Sequence, residues 1–129
     1  MKLILCTHGF FAEGIKSSID LIVGNSENID TVCITEDMTI QSVKDLLKEK
    51  LELFKGEEII LISDIAGGSS TQAMVEFLDT SQKIYGLTGL NLPMLLELSL
   101  TSSSAEEAID SVLSNVGETV INLNQYLEI

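Results

Sequence analysis

Arginine and tryptophan are absent from this 129-residue chain, histidine and proline occur once each, and cysteine only twice. Each shortage narrows the function. Seven basic residues, all lysine, face twenty acidic ones, for a formal charge of −13. Phosphate backbones select positive surfaces, so this balance argues against nucleic acid as a partner and against an anionic bilayer surface. The same charge steers a basic protein partner towards the chain, or serves only to keep it dispersed. Cys6 and Cys33 lie inside apolar runs, the pattern of reduced, buried thiols in the cytosol and not of a disulfide framework. One histidine and two strand cysteines make a poor zinc set, so neither metal nor cofactor is expected. Lys2 is followed by only four apolar residues before a polar break, which is no signal peptide. No run of about 20 apolar residues is available to span a membrane. A cytoplasmic protein without membrane insertion is expected.

What is present is material for a core. Hydrophobic residues make up 45% of the chain. A chain of this length buries roughly 65–70% of its unfolded surface, so residues 1–129 are expected to form one domain without disulfide or metal. Leu3-Ile4-Leu5-Cys6, Ile29 to Ile34, Ile59-Ile60-Leu61-Ile62 and Lys83 to Leu87 read as four strands. The continuous apolar runs among them mark strands buried on both faces. Between them the spacing turns helical. Ile15, Ile19 and Ile22 precede Gly24, which is placed to end a helix. Thr39 is a candidate N-cap for a helix carrying Val43, Leu47, Leu51 and Phe54, with Gly56 to stop it. Ala73, Met74, Phe77 and Leu78 define a third helix. Pro93 fits the first turn of a fourth, reaching about Leu100. Ser104-Ala105-Glu106-Glu107 reads as a capping box opening a fifth, to about Asn115. Thr119 to Leu123 alternates instead, which marks a half-exposed edge strand. Strand–helix alternation predicts a doubly wound α/β fold: a mainly parallel four-stranded sheet with helices on both faces, plus that C-terminal edge strand, antiparallel to the rest.

In such sheets, sites form beyond the carboxyl ends of strands, where the winding reverses. Three strand ends carry unusual polar residues: Thr7-His8-Gly9, Asp64 to Ser70, and Thr88 to Asn91. If the first and third strands are neighbours, His8 and Asp64 end adjacent strands roughly 5 Å apart. A free imidazole titrates near pH 6.5, so a neutral ring nitrogen is available as a nucleophile at neutral pH. A carboxylate on the other nitrogen fixes the tautomer and offsets the positive charge that arrives with an electrophile. Taken without that context, a lone histidine is more often a loop residue bonded to backbone, and Asp64 is equally placed to cap the Gly67-Gly68 turn. Gly67-Gly68-Ser69-Ser70 opens a helix, where glycine permits close approach and either serine can cap; free N–H groups there favour an anion. Cys6 is two residues from His8, but a strand that buries it leaves a poor nucleophile.

These residues resemble the enzyme IIA component of the mannose-family (mannose/fructose/sorbose) sugar phosphotransferase system. That family's first strand ends in Thr/Ser-His-Gly, here Thr7-His8-Gly9. Its third ends in Asp-x-x-Gly-Gly-Ser, here Asp64-Ile65-Ala66-Gly67-Gly68-Ser69, and its fourth precedes Gly-x-Asn-x-Pro-Met, here Gly89 to Met94. The resemblance covers essentially the whole chain. It implies a phosphoryl carrier phosphorylated on His8 at Nε2, with Asp64 on the other nitrogen and Ser69, Gly67 and Gly68 around the phosphoryl group. It implies a histidine-containing phosphocarrier protein as donor and a IIB component as acceptor, with membrane IIC and IID components beyond. It also implies a homodimer that exchanges its C-terminal strand. Ala66, Ser70 and Gln72 depart from the family's usual aromatic, proline and asparagine, which implies altered partner contact and a looser loop. The alternative resemblance is to the phosphocarrier subunit of a dihydroxyacetone kinase system. Two other classes use the same residues: a hydrolase with Ser69, His8 and Asp64 as its triad, which lacks a G-x-S-x-G elbow, and a receiver module phosphorylated at Asp64, which lacks the acidic cluster for magnesium.

Overall fold

The computed structural model describes residues 1–127. Four strands form one parallel sheet: β1 (Lys2–His8), β2 (Ile29–Ile34), β3 (Ile59–Ser63) and β4 (Ile84–Thr88), in the order β2-β1-β3-β4. Helices α1 (Phe11–Val23), α2 (Ile40–Leu53), α3 (Ser69–Val75), α4 (Leu92–Leu100) and α5 (Ala105–Asn115) cover both faces. The strand residues explain the layering. In β1, Leu3 and Leu5 face one cluster with α1, α4 and α5, while Ile4 and Cys6 face another with α2 and α3. Strand β3 divides the same way, with Ile60 and Ile62 on the first side and Ile59 and Leu61 on the second. Two-sided burial is why these strands read as unbroken apolar runs. Each such side chain contributes about 1.5–3 kcal/mol through burial.

The helix ends follow their cues. Gly24 ends α1 at φ 86°, and Thr39 caps α2 by accepting from the Ser42 N–H, with the Ser42 hydroxyl answering the Thr39 N–H. Ser104 caps α5 through the Glu107 N–H.

Three expectations need correction. The third helix ends at Val75, so Phe77 and Leu78 lie beyond it in a turn that leads to a 3-10 segment at Thr80–Gln82. Neither Ser69 nor Ser70 caps that helix: Gly68 occupies the N-cap and both serines lie inside the first turn. The segment Thr119 to Leu123 forms no strand here. Val116–Glu118 makes a 3-10 turn, and Leu123–Leu127 makes a short helix, α6. The cause is Asn122. Its side-chain oxygen accepts from the Asn124 N–H and its carbonyl from the Tyr126 N–H, so a polar residue counted towards alternation instead starts a helical turn. Val120 and Leu127 remain 89% and 80% exposed.

Candidate functional site

The winding reverses between β1 and β3. α1 leaves β1 towards one face, while α3 leaves β3 towards the other. The crevice at their carboxyl ends is therefore where a site is expected. His8 is the last residue of β1 and Asp64 the first after β3. Pairing in register, Cys6 against Ser63, brings the two together.

Asp64 Oδ2 accepts twice from His8, from its backbone N–H at 2.9 Å and from ring Nδ1 at 2.8 Å. Asp64 Oδ1 accepts from the Ile65 N–H at 3.0 Å and the Ser70 hydroxyl at 2.7 Å. Burial raises the Asp64 carboxyl pKa, yet the His8 N–H, the Ser70 hydroxyl, the His8 ring and a local N–H outweigh it and hold the group at about 2. Asp64 is thus ionised at neutral pH. An ionised acceptor requires Nδ1 to carry the proton, which leaves the lone pair on Nε2. Ser69 Oγ lies 3.3 Å from Nε2 and can donate to it. The His8 side chain is 45% exposed, against 13% for Asp64, so the ring meets solvent far more than its carboxylate does.

The backbone around the ring is equally constrained. Gly9 turns the chain at φ 58°, a region that disfavours side chains. Gly68 lies so close that an added Cβ would sit 2.6 Å from His8 Cε1. Gly67 has open space at the same test, so only one of the two glycines is required for fit. The buried thiol of Cys6 is pushed up to about 12, first by burial and then by the Asp64 charge, so it is protonated and inert.

Sequence reasoning singled out His8, Asp64 and Ser69, and the structure brings all three together. It missed the hydroxyls beneath them. Buried Ser63 Oγ sits 2.6 Å from Thr71 Oγ1 and 2.7 Å from Thr88 Oγ1. Thr71 Oγ1 also reaches the Ile65 carbonyl at 2.6 Å, tying α3 to the loop after Asp64. Buried Thr7 accepts from the Ala12 N–H and so starts α1 in place of a conventional cap. No periodicity marks these residues; Ser63 and Thr88 become partners only once β3 and β4 are in register. At Ser70, where the family usually has proline, a buried hydroxyl ties α3 to Asp64 in the loop before it. A surface groove of about 630 Å³ lies at the other end of the sheet, where Ile59 and Ile84 begin β3 and β4, and includes none of these residues.

A family model described as PTS system fructose IIA component, EIIA-man, matches residues 2–116. The chain belongs to that family. Among EIIA-man relatives, the fructose-specific EIIA component of Bacillus subtilis (strain 168) is 28% identical over 117 residues, 90% of this chain and 79% of that protein. The sorbose-specific EIIA component of Lacticaseibacillus casei is 26% identical over 104 residues, 81% of this chain and 75% of the other. In the mannose-specific EIIAB component of Escherichia coli (strain K12), the match is 26% over 122 residues and spans only 37% of the relative. The crystal structure of the phosphotransferase system component EIIA from Streptococcus agalactiae superposes with a TM-score of 0.82 at 30% identity, covering 96% of this chain and 98% of that one. The chain is a phosphoryl carrier of a mannose-family sugar phosphotransferase system. Among its described residues no helix is long and apolar enough to cross a membrane.

Proposed function

We propose that His8 Nε2 carries the phosphoryl group, received from the histidine-containing phosphocarrier protein and passed to a IIB component in the cytoplasm. The observation that supports this is the pairing of His8 Nδ1 with an ionised Asp64 at 2.8 Å, which leaves Nε2 unprotonated on the exposed side. The Nε2 lone pair attacks phosphorus and forms the new N–P bond. The donor's N–P bond breaks, and its ring nitrogen leaves with the electron pair. No proton need move on His8, because Nδ1–H already faces Asp64, whose charge offsets the cationic ring that forms. Ser69 Oγ and the backbone at Gly67-Gly68 then meet the phosphoryl oxygens. Transfer to IIB reverses the sequence, and the group passes from there to sugar entering through IIC and IID. No cofactor takes part.

Residues 1–129 act in this reading as one IIA unit. A homodimer extends it: the apolar tail after Glu118 leaves Val120, Ile121, Leu123 and Leu127 exposed in the single chain, and exchange of that segment with a second copy would cover them. The dihydroxyacetone kinase alternative shares the histidine chemistry, but the sugar-system names of the relatives favour the sugar relay. A serine-hydrolase reading finds Ser69, His8 and Asp64 in triad order. The phosphocarrier assay separates it from the relay. Incubation with phosphorylated carrier is expected to label the wild type stably and to leave His8→Ala unlabelled. Label that persists in His8→Ala, or an ester-hydrolysis burst requiring Ser69, would overturn the assignment.

A further inference from the structure

Asp64 can serve His8 only if its carboxylate plane is held. Oδ2 takes both of its bonds from His8. On Oδ1, the Ile65 N–H is local to the same loop and moves with it, whereas Ser70 reaches across from α3. Ser70 is fully buried, and its hydroxyl has Asp64 Oδ1 as acceptor at 2.7 Å. α3 in turn packs its Ala73 and Met74 into the cluster that contains Cys6 of β1. Ser70 therefore connects the carboxylate to the same core that carries His8. Without that bond, Asp64 keeps its bonds from His8 and the Ile65 N–H but loses its only tie to α3, so its carboxylate is held less firmly about the Cβ–Cγ bond.

We propose that Ser70 is a positioning residue for phosphoryl transfer, its buried hydroxyl fixing the Asp64 carboxylate so that the proton stays on His8 Nδ1 and the lone pair on Nε2. The transfer consequence rests on the function proposed above; the tautomer consequence does not. The hydroxyl keeps its own proton throughout, so the N–P bond made and the N–P bond broken are unchanged. Ser70 acts on the population of the reactive tautomer and on the orientation of the ring.

One histidine in the chain makes the test direct, since ring-nitrogen NMR shows a single imidazole. Ring ¹⁵N shifts above the histidine titration report the Nδ1–H and Nε2–H populations. In Ser70→Ala, the Nδ1–H tautomer is expected to fall measurably, and transfer from phosphorylated carrier to slow about 10-fold, the lower end for groups that orient a reacting ligand. Ser70→Cys keeps a weak donor of similar shape, should fall between the two, and replaces the alanine variant if that one does not fold. A packing role alone would lower the melting temperature yet leave the ring shifts of the folded protein as in the wild type. Wild-type ring shifts in a folded variant, or a shifted tautomer with unchanged transfer, overturn the proposal. If wild-type protein takes no phosphoryl group from the carrier, the function reading fails instead, and the ring shifts still decide the role of Ser70.

Discussion

The carboxyl end of β1 and β3 and the segment after Glu118 are opposites. At the strand ends, the polar side chains find partners within the same chain: His8 with Asp64, Asp64 with Ser70, and Ser63 with Thr71 and Thr88. In the tail, apolar side chains face solvent, with Val120 at 89% exposure. One region satisfies its side chains within the chain, and the other leaves apolar side chains in solvent. Chemistry at His8 should therefore be insensitive to changes in the tail and acutely sensitive to small changes within a few ångströms of the ring.

The largest effect expected after loss of His8 itself comes from a single methyl group. In Gly68→Ala the new Cβ meets the His8 ring at 2.6 Å, so either the ring or the loop must move. Transfer from the carrier, followed by phosphate incorporation, should fall by about 100-fold or more, the scale on which misplacement of about 1 Å acts. Gly67→Ala, with open space around it, should retain most of the rate. Equal losses in the two variants would break the claim that the ring packs on Gly68.

Next comes Asp64→Ala, expected to slow transfer by about 10- to 100-fold. The same carboxylate leaves a signature in stability. Its folded pKa of about 2 lies below its ordinary value near 3.8, so its stabilising contribution is full above about pH 4 and is lost as pH falls through 2. Acid unfolding of Asp64→Asn should lack that part of the pH dependence, and unchanged acid curves would show the carboxylate is not held as described. Ser69→Ala should have a smaller effect, about 5-fold, because its contact with Nε2 is long at 3.3 Å and a neutral hydrogen bond is worth about 1 kcal/mol.

The smallest effect on the site is expected from the tail. Val120→Asp should leave His8 ring-nitrogen shifts unaltered while moving sedimentation towards the monomer. A perturbed ring, with no change in assembly, would erase the contrast between the two regions.

The strands, their parallel direction and the strand-end placement of His8 and Asp64 were legible because they rest on strong signals. Ile59 to Ile62 is an unbroken apolar run bounded by polar residues, and such a run has few places to go except a sheet buried on both faces. His8 and Asp64 both follow such runs, so adjacency of β1 and β3 was enough to pair them. The tail misled because alternation over five residues competes poorly with a local asparagine that bonds its own backbone. The third helix was read too long for a related reason. Phe77 lies at helical spacing from Ala73 and Met74 and packs partly on the same cluster, yet reaches it from a turn beyond the helix. The hydroxyls of Ser63, Ser70, Thr71 and Thr88 were invisible as a group, because they come from three elements, β3, α3 and β4, and meet their partners only in the folded chain.

The central claim concerns one atom, and phosphorus coupled to nitrogen reads it directly. In ¹⁵N-histidine-labelled protein phosphorylated by the carrier, the ³¹P–¹⁵N coupling should appear at His8 Nε2, with Nδ1 still protonated and facing Asp64. Coupling at Nδ1, or phosphate on any other residue, would contradict the account.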